Sequence, residues 1–516
     1  MTGETGDAFA GAMPIETARR GTGQLRRLHR AICRANRLSC FTEGETCRAP
    51  TALAFIRGFS RRAASGPLGK GLRSLAWKTL IGPGLRPLLL ILAIYLAVGA
   101  LYAIYIPPWQ VPDEPAHYNY IAQVAQEGCC PVIAPGDYDQ AYLGQLTSSG
   151  FPEGADLSAI EYEDWQPPAY YLAALPVFAL SDGSLLALRL FSVALGAIVV
   201  ALAYLTVLRL LPDHRAIAIG AALFVGFVPQ HIAMMAGVNN DSFSELILGL
   251  TLLVLVAYLG GIRRPHAAML GVLVGAAFLT KISAYYAAVL VALAVLWRWR
   301  AEKRPFRWLL VQVAWTGGLA VLIGLAWWAR DVTVYGWPDF LGWRAHGAVV
   351  ADQPRTADWI AASGLGSHLR FLVTTTFHSF WGQFGWMGVP MPERDYMALS
   401  VFVYWVLAGL ALLPWKACRL APWQRTGLRL LAALLLLTAI GYGFYNWTFV
   451  QAQGRYLFPA ITAFGLLAAG GAYGWAAWLD RRFGWRLAGW LPVLALAWLP
   501  LYDLWALFRY IIPNLE

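Results

Sequence analysis

The sequence predicts an all-α protein, a polytopic bundle of transmembrane helices with roughly eleven spans and two large extracytoplasmic loops. Three observations carry that prediction. Of 516 residues, 58% are hydrophobic and only 13% are charged, where an ordinary soluble chain carries roughly 25% charged residues. Mean hydropathy is +0.52. Continuous apolar runs such as 191-FSVALGAIVVALAYLTVL-208 recur from Leu88 onward, and a bilayer core about 30 Å thick takes about 20 such residues per helix. Barrel strands would read instead as short alternating segments, so helices are the expected elements.

The formal charge of +11 is concentrated at one end. Residues 1–86 hold fifteen of the basic side chains, from Arg19 to Arg86, against few acids, with Gly and Pro breaks and no sustained apolar period. This is the pattern of a loosely ordered cytoplasmic arm lying on anionic headgroups, ahead of a membrane domain over 87–510. Nucleic acid is not expected as a partner, because few aromatics are interleaved and no accompanying domain is present. The six cysteines, three of them in the arm (Cys33, Cys40, Cys47) and two adjacent (Cys129, Cys130), match neither a zinc spacing nor a disulfide framework. The first apolar run is late and long enough to span, so no cleavable signal peptide is expected.

Placing the arm inside orients the rest. Residues 87–106 lead out to a first loop, 107–165, which contains ten acids and no Lys or Arg. Residues 185–211 return to Arg209 and Arg215, 216–236 lead out to Asn239-Asn240-Asp241, and 243–261 come back to Arg263 and Arg264. Two short passes, 266–280 and 282–297, meet outside at Lys281, and 308–329 lead to the second outer loop, 330–397. Passes at 398–415, 428–447, 456–479 and 487–508 complete the set, with Lys416, Arg419, Arg425, Arg481, Arg482 and Arg486 on the inner turns. Long loops tend to carry function, which puts the expected site on the extracytoplasmic side of a cell (plasma) membrane.

The most informative stretch is 107-PPWQVPDEPAHYNYIAQVAQEG-128, directly after the first pass. Pro115 suits the first turn of a helix, which sets Asp113 and Glu114 at its N-terminal end, where carboxylate charge is stabilised. An acidic capping turn reads the same way. The Asp-Glu-x-x-His-Tyr string of Asp113, Glu114, His117 and Tyr118 resembles the Asp-Glu-x-x-His-Phe signature of protein O-mannosyltransferases. The chain from about 87 to 510 is similar to bacterial phospholipid-carrier-dependent glycosyltransferases of the GT-C superfamily, and to a bacterial membrane family of unknown function with a Pro-Asp-Glu-x-x-His element. Looser matches are 166-QPPAYYLAALPVF-178, 186-LALRLFSVALGA-197, 238-VNNDSF-243, 279-LTKISA-284, 380-FWGQFGWMGV-389 and 453-QGRYLFPA-460.

That resemblance implies a GT-C fold, a polyprenyl- or dolichyl-phosphate sugar donor, and inverting transfer to a glycan, lipid or protein hydroxyl among membrane lipids at the cell envelope. Such transfer needs a carboxylate for the acceptor proton, a sugar pocket and cations for the departing phosphate. The resemblance aligns Asp113 with the catalytic acid, with Glu114 as the alternative. It also puts Arg189 where the mannosyltransferases carry an arginine that contacts the donor. Lys281, Arg455 and, more weakly, Arg330 are further phosphate-binding candidates, with snorkelling to headgroups as the alternative. Asn239, Asn240 and Asp241 are candidates for sugar hydroxyls or equally a helix cap. His117, Tyr171, Trp381 and Gln383 are candidates to line the substrate groove or to anchor in the interface. One histidine beside two acids is a thin ligand set, so no metal or other cofactor is assigned, though a divalent ion is left open. A transporter or flippase of a lipid-linked saccharide, or a non-catalytic assembly subunit, are the alternative classes.

Overall fold

The apolar runs fold as helices, and the computed structural model describes them over residues 85–261, 265–413 and 420–515. These residues belong to one unit, Lys70–Glu516. The basic arm, all but its last two residues, lies outside the described residues, as do Arg263, Arg264, Lys416 and Arg419.

Helix α1 (Leu85–Tyr105) is followed by three shorter helices, α2 (Glu114–Glu127), α3 (Gln140–Ser148) and α4 (Ala169–Leu180). Then come α5 (Leu185–Leu210), α6 (Arg215–Gly226), α7 (Pro229–Met235), α8 (Asp241–Leu259) and α9 (Pro265–Phe278). Helices α10 (Ile282–Ala301) and α11 (Phe306–Tyr335) precede the second loop, which is itself helical in α12 (Trp343–Val349), α13 (Thr356–Ser363) and α14 (Leu365–Trp381). Last are α15 (Glu393–Ala411), α16 (Pro422–Thr448), α17 (Ile461–Phe483) and α18, which spans Leu491–Leu515. The one sheet among the described residues pairs Gln383–Phe384 antiparallel with Val389–Pro390.

Each of the eleven expected passes has a helical counterpart. Eight helices among the described residues are long and apolar enough to cross a membrane, and the α6–α7 pair makes a ninth if counted as one span bent by 63°. The bend falls just before Pro229, whose ring disfavours helix at the preceding residue and which is itself suited to start the next helix. Helix α9 is short, and α15 opens on Glu393, Arg394 and Asp395.

Helix α5 is the hub, packed on α1, α6 and α8, while α17 packs against α6 and α15. The core between them includes the fully buried Tyr95, Tyr170, Tyr171 and Tyr204. Around it, large apolar side chains such as Leu90, Leu322, Val401 and Leu501 face outward, as expected of a surface solvated by lipid. In lipid, helix association depends on close backbone approach. At the α15–α17 crossing, a Cβ on Gly409 would meet the Gly471 carbonyl, and one on Gly474 the Gly409 carbonyl. Gly409→Leu is therefore expected to lower stability by about 1–3 kcal/mol or more, read as a reduced thermal midpoint in detergent, whereas Gly443→Ala, which meets nothing, is expected to leave it near wild type.

Candidate functional site

The end of α1 turns through Pro107–Pro112 into α2, and the two acids of that turn go to different places. Glu114, the first residue of α2, is fully buried. Its carboxylate takes Nε and Nη2 of Arg189 at 2.8 and 2.6 Å, and the backbone N–H groups of Trp109 and Val238 at 3.0 and 3.1 Å. Arg189, one turn into α5, also donates to the carbonyls of Ala103, Ile106 and Pro107 at 3.1, 2.6 and 3.0 Å. A guanidinium has five N–H donors, and all five are used within the chain. A buried ion pair satisfied this fully fastens the end of α1 to α5 and leaves Arg189 no donor for a ligand.

Asp113 faces the other way. It caps α2 in the left-handed region (φ 66°), a conformation that Asp tolerates better than most residues. Its carboxylate takes Nη2 of Arg455 at 2.6 Å and the Tyr162 hydroxyl at 2.8 Å, and its side chain stays 22% exposed. Burial by itself would raise its pKa. The charge of Arg455 and the hydrogen bonds from Tyr162 and Arg455 outweigh that and hold it below the usual carboxylate range.

Arg455 lies in a 3₁₀ turn, Gly454–Ala460, between α16 and α17. A Cβ on Gly454 would collide with the Phe380 backbone, so only glycine lets this turn seat against the end of α14. Its Nε donates to Gln453 at 2.6 Å and its guanidinium lies over the Tyr456 ring. Unlike Arg189, it keeps N–H groups to offer a ligand.

Beside this pair is a second. Lys281, between α9 and α10, meets Asp241 at the start of α8 at 2.6 Å, both side chains partly exposed. His117 feels both pairs. Burial first, then the charge of Lys281, pushes its ring down to about 3, so it is neutral at physiological pH. Its Nδ1 hydrogen-bonds the Tyr171 hydroxyl at 2.9 Å, and Tyr171 stacks on Tyr120 at 3.5 Å.

A polar cavity of about 170 Å³ opens at Asp113 and Arg455. Its walls include Tyr138, Tyr162, Glu163, His346, Gln453 and Tyr456, and Trp386 and Met387 close one side. Those last two also have left-handed backbones (φ 53° and 73°), and such residues cluster at functional sites. Burial, reinforced by the charge of Asp113, pushes the Glu163 carboxyl up, and its Oε2 is buried without a hydrogen-bond partner. The cavity therefore holds one carboxyl kept ionised and another kept neutral. On the far side of the same turn is an apolar groove of about 480 Å³, lined by Leu457 and by residues of α14, α15, α16 and α17, including Phe377, Trp381 and Val406.

Of the residues singled out from sequence, Asp113, His117, Tyr171, Asp241, Lys281 and Arg455 gather here. Glu114 and Arg189 form the buried fastening behind it. Arg330 is engaged elsewhere, on Asp331, Tyr335 and the carbonyls of Cys130 and Pro131. Asn239 closes its own turn, donating to the Met234 carbonyl and accepting from the Asp241 amide. Asn240 is fully buried with neither amide atom partnered. Trp381 lines the apolar groove, and Gln383 donates to the Met387 carbonyl at 2.9 Å. Sequence reasoning missed Tyr138, Tyr162 and Glu163. The signal for them was the acidic aromatic run 161-EYEDW-165 just ahead of Gln166-Pro167-Pro168.

A family model described as predicted membrane protein (DUF2142) matches residues 148–463. The chain belongs to that family. The matched stretch contains Glu163, Asp241, Lys281 and Arg455, while Asp113 precedes it. No curated protein sequence matches the chain. Among solved structures it is similar to the Archaeoglobus fulgidus oligosaccharyltransferase in complex with zinc and sulfate, at 13% identity and TM-score 0.48, covering 81% of this chain and 52% of that one. It is also similar to ArnT from Cupriavidus metallidurans bound to undecaprenyl phosphate, at 15% identity and TM-score 0.46, covering 83% and 73%. The chain thus spans about half the length of the oligosaccharyltransferase. With TM-scores below 0.5, functional weight falls on the site of this chain alone.

Breaking a buried ion pair by removing one partner typically costs about 3–5 kcal/mol. Glu114→Gln is expected to lose that much stability, seen as a lower yield and thermal midpoint, while Asp113→Asn at the partly open pair stays near wild type. A double variant, Glu114→Gln with Arg189→Met, is expected to recover part of the loss.

Proposed function

We propose that this protein is a GT-C-type glycosyltransferase that takes a single sugar from a polyprenyl-phosphate carrier and transfers it, with inversion, to a hydroxyl acceptor at the extracytoplasmic surface. The observation that carries the reading is the Asp113–Arg455 pair at the mouth of a polar cavity, with an apolar groove behind the same turn. A ligand suited to both would have a polar head, an anionic joint and a long apolar tail. A cavity of about 150 Å³ accommodates a benzene ring, so about 170 Å³ lined by carboxyls, amides and phenols suits one hydroxylated six-membered ring. The groove carries exposed apolar residues such as Val373 and Leu407 at its rim, which suits a chain entering from lipid. The Asp-Glu-x-x-His-Tyr resemblance supports the same assignment.

In this reading the donor phosphate competes with Asp113 for Arg455, with Lys281 as the second cation. Phosphate favours guanidinium and ammonium partners. As Arg455 turns to the phosphate, Asp113 loses the counter-charge that depresses its pKa and becomes a better base. The acceptor oxygen then attacks the anomeric carbon, its proton passes to Asp113, and the bond from that carbon to the phosphate oxygen breaks. The electron pair leaves with the polyprenyl phosphate, whose charge Arg455 and Lys281 stabilise. Tyr162 positions Asp113, neutral Glu163 offers a hydrogen bond to a sugar hydroxyl, and Glu114 with Arg189 hold the frame.

Membranes carrying the protein, supplied with labelled polyprenyl-phosphate sugars, are expected to form a glycosidic product. Asp113→Asn is expected to lower turnover about 10²- to 10⁴-fold, the usual weight of general-base help, while donor binding persists. Arg455→Met is expected to weaken donor binding itself. Full transfer by Asp113→Asn removes that carboxylate from the mechanism, and sugar translocation without product favours transport.

A further inference from the structure

Behind the cavity wall is a second group of acids that the transfer reading does not use. The backbone N–H of Glu161 donates to the Asp137 carbonyl at 3.1 Å, which sets the two stretches 137–138 and 161–162 side by side. The Asp164 N–H donates to the Glu161 carbonyl at 3.0 Å, a turn that brings Asp164 back beside Glu161. On one face the rings of Tyr138 and Tyr162 meet edge to face, 5.4 Å apart, and both line the cavity. On the other, Asp137, Glu161 and Asp164 each present a carboxylate oxygen, all within 4.8 Å of one another.

Three carboxylates this close repel strongly unless something neutralises them. No Lys, Arg or His among the described residues forms an ion pair with any of them, and the loop 107–165 contains neither Lys nor Arg. The Gln123 amide bridges two of them, donating to Glu161 and Asp164 at 2.9 Å each. Asp164 is only 2% exposed, and its Oδ1 has no hydrogen-bond partner. A buried oxygen of a carboxyl grouped with two further acids, with no donor to accept from, is a ligand atom suited to a cation.

We propose that Asp137, Glu161 and Asp164 form a site for a hard divalent cation, Ca²⁺ by its chemistry, that fixes the cavity wall carrying Tyr138, Tyr162 and Glu163. All-oxygen ligands exclude a preference for soft metals. Two oxygens on opposite sides of Ca²⁺, each at about 2.4 Å, lie about 4.8 Å apart, and Ca²⁺ accepts irregular coordination completed by carbonyls or water. The site stands apart from the sugar-transfer chemistry and is testable without it.

The test uses the full chain in detergent, stripped with EGTA, then followed by thermal unfolding with and without Ca²⁺, and by Tb³⁺ emission excited through the adjacent Tyr and Trp side chains. Wild type is expected to gain several degrees in Ca²⁺ and to show Tb³⁺ emission that Ca²⁺ displaces. Glu161→Gln is expected to lose both responses, yet unfold at or above the metal-free wild-type midpoint, because one repelling charge is gone. Should Glu161→Gln fail to fold, Asp137→Asn at the more open edge gives the same reading. Wild type indifferent to Ca²⁺ and silent with Tb³⁺ would overturn the proposal, leaving the acids to share protons instead. Undiminished responses in both variants would equally overturn it, by putting the ion elsewhere.

Discussion

The fully buried pair of Glu114 and Arg189 is the constraint on which the rest of this molecule depends. At membrane depth an unpaired charge is very costly, so each side chain must find every partner it can, and Arg189 does so by gathering three carbonyls from the frayed end of α1. The last turn of a helix has carbonyls without intrahelical donors. One guanidinium satisfies them and locks α1, α2 and α5 together. The turn that carries Asp113 is thereby held in its left-handed conformation.

From that fixed frame the candidate site residues follow by direction of chain. Helices that alternate through a membrane return every second turn to the same end, and Asp113, Asp241, Lys281 and Arg455 all lie at such turns. Their two ion pairs fasten four distant parts of the sequence around one neutral histidine. Neither pair is closed in the way Glu114 and Arg189 are. Each keeps partly exposed atoms, so in the proposed function each can exchange a partner for a ligand, which a satisfied buried pair cannot do without loss of structure. In that proposal the closed pair holds shape and the two open pairs bind.

Much of this was legible in the sequence, and the reasons for what was not are physical. Helix positions followed from apolar runs because lipid imposes a length on them. His117, Tyr171, Lys281 and Arg455 were legible because each sits in a short polar motif at the end of an apolar run. The split between Asp113 and Glu114 was not, since adjacent acids look alike until one knows which faces the cavity and which the core. Arg189 was assigned to the donor by resemblance; its pairing with Glu114 and three backbone carbonyls joins distant parts of the chain and leaves no trace in the sequence around it. Tyr138, Tyr162 and Glu163 come from irregular chain, where no periodicity marks the inward face. The bend before Pro229 was visible in principle, but its 63° angle comes from packing.

In the proposed reaction Arg455 exchanges Asp113 for a lipid phosphate. A structure of the protein determined with a polyprenyl phosphate bound tests it most directly. The phosphate is expected within hydrogen-bond reach of Arg455 and Lys281, with the apolar chain along the groove between α14 and α15 and the Arg455–Asp113 contact lengthened from 2.6 Å. A phosphate bound away from both cations, with Arg455 still closed on Asp113, would contradict it.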